Sequence, residues 1–147
     1  MNFAAGGAPV GGWVVSHGVD LVDTPRIERM IERHGERFLS RCFTAGERSY
    51  AESHNRRVEH YAARFAAKEA IFKAIGTGWS EGVAWIEAEV EHDALGKPFV
   101  RLSGRAAEVA AGLGIDAWSI SLSHVAGFAL ASAIALRSEP AAEPVLG

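Results

Sequence analysis

The chain has 147 residues, 48% hydrophobic and 22% charged, a globular composition whose length suits one domain rather than two. Its formal net charge of −3 excludes an overall positive field for nucleic acid or an anionic membrane, so any attraction for an acidic partner must be local. A single cysteine, Cys42, excludes an internal disulfide and a zinc site of several cysteines, and fits a reducing compartment.

Residues 1–12 are rich in Gly and Ala and hold no Lys or Arg. They lack the positive segment of a secretory signal and read as a flexible extension. Residues 13–22, WVVSHGVDLV, are dense in β-branched side chains and predict a first strand. Thr24 before Pro25 has the form of an N-cap followed by proline at the first helical position. A helix is expected over 25–34, ended or bent by Gly35. The stretch 36–57 is polar and weakly periodic, but Thr44 and Glu47 have capping-box spacing, which predicts a short helix over 44–53. Residues 58–75, VEHYAARFAAKEAIFKAI, contain no Gly or Pro until Gly76 and form a long central helix.

Residues 83–91 and 99–102 alternate apolar with polar side chains and read as a hairpin with a longer loop. A short alanine-rich helix over 105–112 follows. Trp118, Ile120 and Leu122 then alternate with Ser119, Ser121 and Ser123, and a turn near 126–127 leads into 128–136 as a second hairpin. The most apolar stretch, 125–136, is far below the roughly 18–20 residues of a membrane-spanning helix. A soluble, cytoplasmic protein is expected, with residues 13–137 as its domain and 138–147 as a flexible tail. The order of elements predicts an α+β fold in which an antiparallel sheet packs on the long central helix.

Small or apolar residues surround the central helix almost completely, so it reads as buried. Glu69 and Lys73 nevertheless lie on its apolar surface, one turn apart. They are either an ordinary i, i+4 ion pair or groups that meet a metal or ligand. Arg64 and Lys68 make a second such set on another side, where a solvated or partner-facing role fits better than catalysis. Asp20 sits between Val19 and Leu21 in a strand that otherwise looks like core. It is a cap, a hydrogen-bonded buried acid or a ligand. A strand aspartate and a helix glutamate in apolar settings make the pair of hard oxygen ligands that Mg²⁺ accepts when substrate phosphates complete its shell. Lys73 then stands beside those phosphates as a point charge. Gly76 serves as a C-cap, or lets backbone N–H groups approach a phosphate. Ser123 and His124 are neighbours on a strand and face opposite sides, which rejects a serine hydrolase. His124 stays a plausible phosphate or ribose contact, or an ordinary partly buried histidine. His17, His34, His54, His60 and His92 show no ligand spacing.

Three segments together, Gly18-Val19-Asp20 with Arg26-Ile27, the run RFAAKEAIFKAIGTG from Arg64 to Gly78, and Ser121-Leu122-Ser123-His124, resemble the holo-acyl-carrier-protein synthase family. These are the short 4'-phosphopantetheinyl transferases. The resemblance implies that family's fold, a homotrimer whose neighbouring subunits complete each site, and Mg²⁺-dependent transfer of 4'-phosphopantetheine from coenzyme A to a serine of an acyl carrier protein, with release of adenosine 3',5'-bisphosphate. It further implies that Asp20 and Glu69 are the metal ligands, that Glu69 and Lys73 are catalytic, and that Lys73, Gly76 and His124 contact coenzyme A. Val22 stands where larger members of the class carry a second acid, which favours the short class. His17-Gly18 and Val125 also depart from the family pattern, without touching the metal pair.

Arg26, Arg29 and Arg33 recur along one face of the first helix. Arg26 and Arg29 are the expected docking residues for an acidic carrier, against the alternative of a solvated face shared with Glu28 and Glu32. Competing functions are a non-catalytic module that binds coenzyme A or a nucleotide, a magnesium phosphohydrolase, and a structural trimer whose charges only pair.

Overall fold

The computed structural model of the chain describes residues 12–78 and 82–139. Strand β1 (Gly12–Asp23) leads into helix α1 (Thr24–Cys42), the short α2 (Ala45–Glu52) and the long α3 (Arg57–Ile75). A 3₁₀ turn (Trp85–Glu87) and the hairpin β2 (Ala88–His92) and β3 (Pro98–Leu102) follow. Helix α4 (Gly104–Gly112) and the hairpin β4 (Ala117–Val125) and β5 (Phe128–Ser138) end the described chain. One antiparallel sheet has the order β1-β5-β4, and β2-β3 form a separate two-stranded ribbon. The predicted α+β architecture, an antiparallel sheet on a central helix, is what the chain adopts.

Helix α3 lies across the inner face of the three-stranded sheet, and alanines on both sides make that contact close. Ala62, Ala66, Ala67 and Ala70 on the helix and Ala129, Ala131, Ala133 and Ala135 on β5 are fully buried. Larger side chains close the core around this seam. Tyr61, Ile71, Phe72 and Ile27 are 0–1% exposed, each contributing about 1.5–3 kcal/mol by leaving water. The opposite face of the sheet is uncovered: Val19 and Leu21 on β1 and Phe128 and Leu130 on β5 are exposed by 45%, 62%, 50% and 42%.

Helix α2 carries the expected capping box between Thr44 and Glu47, and Gly76 caps α3 in the left-handed conformation with φ 78°. Other expectations are corrected. Gly35 does interrupt the first helix, with non-helical φ 49°, ψ −128°, but a second helical segment, where none was expected, follows across the kink to Cys42 and turns Phe38, Leu39 and Cys42 into the core. Thr24 is helical rather than a cap. Asp23 holds the N-cap position without a side-chain bond, and the Thr24 hydroxyl is buried unpaired. Residues 83–87 are not strand, since a 3₁₀ turn occupies Trp85–Glu87. β1 starts at Gly12 and β5 runs through Ser138, one residue beyond the expected domain at each end. The rest of the extension and tail lies outside the described residues.

The largest correction concerns Arg64 and Lys68, which are 1% and 0% exposed rather than solvated or facing a partner. Lys68 Nζ lies 2.8 Å from the equally buried Glu47 Oε2 and donates to the carbonyls of Trp85 and Ala88 at 3.0 and 2.6 Å. Glu47 also accepts from the amides of Thr44 and Val90. Burial pushes the Lys68 ammonium below its ordinary pKa while the Glu47 charge opposes that. The pair ties α2, α3 and β2 together, a geometry in which every charge is met. Arg64 lies over the Tyr50 ring, 4.1 Å from its centroid, and reaches His92 Nδ1 at 3.2 Å.

Candidate active site

Asp20 enters the site because β1 presses directly on α3. A Cβ on Gly18 would lie 1.8 Å from the carbonyl oxygen of Ala70 and 3.0 Å from the amide of Ala74, so only glycine permits this approach. Strand alternation then turns Gly18, Asp20 and Val22 to the helix side, where burial increases relative to Val19 and Leu21. Lys73 Nζ donates to Asp20 Oδ1 at 2.7 Å and to the Val19 carbonyl at 3.0 Å. The ion pair formed by Lys73 is thus with the strand acid, which disposes of the simple i, i+4 pairing with Glu69.

Glu69, half-buried one turn before Lys73, has its carboxyl pushed above the usual range. Burial is the main cause and the Asp20 charge the second, opposed by Lys73 and Arg26. Two carboxylates close enough to feel each other, partly desolvated, constitute a concentration of negative charge that a divalent cation relieves. Among the described residues no group of three or more His, Cys, Asp or Glu side chains suits a metal. The two acids therefore fit an ion that completes its shell with water and substrate phosphates.

Glu69 borders a cleft of about 410 Å³ between α1 and α3, rimmed by Arg26, Arg37 and Arg41 and floored by Met30, Phe65 and Trp85. The Trp85 ring stacks on Phe65 with centroids 4.7 Å apart. Arg37, Arg41 and Trp85 are absent from the sequence expectation; the two arginines lie on the helical segment that follows the kink at Gly35, which the weakly periodic sequence did not predict. Arg29 is 66% exposed at its side chain and stands 3.9 Å from Asp23, and it does not line the cleft.

His124 is not brought to the acid pair within one chain. It lies at the end of β4, where Nδ1 is 3.3 Å from Glu59 Oε2. Glu59 precedes Glu69 by ten residues on α3, about 15 Å along the helix axis. Gly76 sits at the near end of α3, but its amide already donates to the Lys73 carbonyl at 3.1 Å. A Cβ there would meet nothing within 4 Å, so the space beside it is open.

Two acids and a lysine thus lie together beside a cleft bordered by arginines, an arrangement suited to handling a phosphorylated substrate. The 4'-phosphopantetheinyl transferase superfamily matches this chain over residues 16–132. Holo-[acyl-carrier-protein] synthase of Solibacter usitatus is 47% identical over 121 residues, 82% of this chain and 97% of that relative. The crystal structure of the Neisseria meningitidis synthase superposes with a TM-score of 0.76 at 35% identity, covering 84% of this chain and 98% of that one. The Helicobacter pylori synthase in complex with coenzyme A gives 0.72 at 28%, covering 81% and 98%. The chain belongs to the 4'-phosphopantetheinyl transferase superfamily.

Proposed function

We propose that this chain transfers 4'-phosphopantetheine from coenzyme A to a serine of an acyl carrier protein, releasing adenosine 3',5'-bisphosphate. The observation that carries the reading is the convergence of Asp20, Glu69 and Lys73 at the β1–α3 contact in a chain of this family. The bond that forms joins the serine Oγ to the phosphorus bearing the pantetheine arm, and the bond that breaks joins that phosphorus to the bridging oxygen of the pyrophosphate. Asp20 and Glu69 would hold Mg²⁺. When bound, the ion supplies charge neutralisation on the pyrophosphate oxygens. Lys73, already 2.7 Å from Asp20, places its ammonium beside the same oxygens. Gly76 leaves room for the donor at the end of α3. Glu69 and water are the two candidate acceptors for the serine proton.

The acidic carrier docks on Arg26 and Arg29, and the cleft adds Arg37 and Arg41 with an apolar floor for an uncharged side chain. The assembly in this reading is a homotrimer. Its support is the uncovered apolar sheet face and the separation of His124 from the acids, which a neighbouring subunit's His124 would bridge to contact coenzyme A. No helix among the described residues is long and apolar enough to cross a membrane. A cytoplasmic location accords with Cys42, a buried thiol pushed up to about 11 by desolvation and so inert.

Mass spectrometry of an apo-carrier incubated with coenzyme A and either Mg²⁺ or EDTA tests the reading. One phosphopantetheine added only with Mg²⁺ is the expected result. Coenzyme A cleavage without a carrier would establish a phosphohydrolase instead, and binding without transfer a non-catalytic module. Charge reversal of Arg26 and Arg29 should raise KM for the carrier more than KM for coenzyme A.

A further inference from the structure

Glu59 has no place in the reading above, yet its carboxylate is in an unusual state. Its Oε2 atom is sealed from solvent and meets no aligned hydrogen bond, although Arg56 Nη1 stands 3.6 Å away and His124 Nδ1 3.3 Å away. A buried carboxylate oxygen without a donor costs free energy that a small turn of the imidazole, bringing an Nδ1–H onto it, recovers. Such bonds are often loose without substrate and tighten when it binds. The two nitrogens lie on different sides of the imidazole, so a ring that offers Nδ1 to Glu59 aims Nε2 elsewhere. The His124 side chain is 37% exposed, which leaves that other side accessible.

We propose that Glu59 is the positioning residue for His124: its carboxylate engages Nδ1–H, fixes the ring, and leaves Nε2 to meet a phosphate of the donor. The inference rests on the reading that His124 contacts the donor phosphates. An imidazole with only Nδ1 protonated offers an acceptor at Nε2, which a phosphate oxygen cannot use. The bound ring therefore carries both protons, its charge shared between Glu59 on one side and the phosphate on the other.

The surroundings suit this division. The His60 ring packs edge-on against His124 with centroids 6.1 Å apart and walls the ring on the α3 side. Burial together with the charges of His54, Arg64 and His124 pushes His60 down to about 4, so it stands neutral beside its neighbour. His54 lies 4.5 Å from His60 on its other side. Arg64 is occupied with Tyr50 and with His92 from β2. Arg56, 74% exposed at its side chain, is the other cation near Glu59. Glu59 is the acid placed 3.3 Å from His124.

Steady-state kinetics on Glu59→Gln, Glu59→Ala, His124→Ala and the double variant Glu59→Gln/His124→Ala test the proposal, with coenzyme A varied at saturating carrier and thermal melts recorded alongside. Glu59→Gln keeps the shape and removes the charge, so KM for coenzyme A should rise about tenfold with kcat within a factor of two. The same substitution should add nothing once His124 is Ala, because the pair acts as a unit. Nitrogen NMR of the ring supplies a second readout: Nδ1 of His124 should be protonated in the parent at neutral pH and lose that preference in Glu59→Ala. If Glu59→Gln leaves KM within twofold while His124→Ala raises it, or if the two effects add, the positioning role is overturned and the phosphate contact stands. If His124→Ala leaves KM unchanged, the phosphate contact itself is wrong and the proposal falls with it.

Discussion

Gly18→Ala is the smallest change that separates the two acids. The new methyl would sit 1.8 Å from the Ala70 carbonyl oxygen, whereas ordinary contact begins at 3.4 Å, so β1 and α3 must part by about 3.4 − 1.8 = 1.6 Å if they move directly away from each other. The obstacle is helix backbone and cannot swing aside. Overpacking of this kind costs about 1–3 kcal/mol, which lowers Tm by roughly 2–12 °C for a chain of this size and leaves the protein folded at room temperature. Asp20 is two residues away on the same face of the strand and moves with it. Misplacement of a reacting group by about 1 Å can cost on the order of 100-fold in rate. Transfer to an apo-carrier, followed by mass spectrometry at 25 °C, should therefore fall about 100-fold or more while circular dichroism stays native. Activity within threefold of the parent, or a loss no greater than the unfolded fraction, would refute the argument that the strand–helix gap sets the site.

Asp20→Asn and Glu69→Gln should each lower transfer at least about 100-fold. Glu69→Gln should leave Tm unchanged or slightly higher, since burial and then the Asp20 charge disfavour its ionised form, whereas Asp20→Asn loses the ion pair with Lys73 and should lower Tm only slightly. A melt that collapses with activity would make these acids structural. Lys68→Met strands the buried Glu47 charge and should cost about 3–5 kcal/mol in urea unfolding; a loss under 1 kcal/mol would show that Glu47 finds another partner. Between pH 6.5 and 4 the unfolded His60 ring takes a proton that the folded ring, held down to about 4, refuses. Stability should consequently fall as pH drops through that window, and the slope of Tm against pH should flatten in His60→Phe. An identical slope in both proteins would assign the acid sensitivity elsewhere.

The acid pair was legible because each member breaks a local rule. Asp20 interrupts an apolar strand, and Glu69 and Lys73 stand on a helix whose surroundings are small and apolar. What escaped depended on partners remote in sequence. Lys68 looks solvated until Glu47 of α2 is known to reach it, and that stretch has too little periodicity to predict the contact. The helical segment after Gly35 was hidden because that glycine's non-helical dihedrals break the periodicity, and a second helix starts beyond the kink; with it went Arg37 and Arg41. The short turn at Trp85 imitates a strand because alternating side chains also suit an irregular segment whose carbonyl is held by Lys68. The distance between His124 and the acids follows from how far along α3 the end of β4 falls, a tertiary quantity with no local signature.

Helix α3 carries Glu69 and Lys73 near one end and Glu59, with its histidine, near the other. On the trimeric reading, every reaction centre takes its acids from one polypeptide and its imidazole from the next. Damage to Asp20 and damage to His124 then strike different halves of the machinery. A cell expressing both crippled copies would still assemble some centres in which each half is sound, so two alleles that are each defective alone would restore growth together.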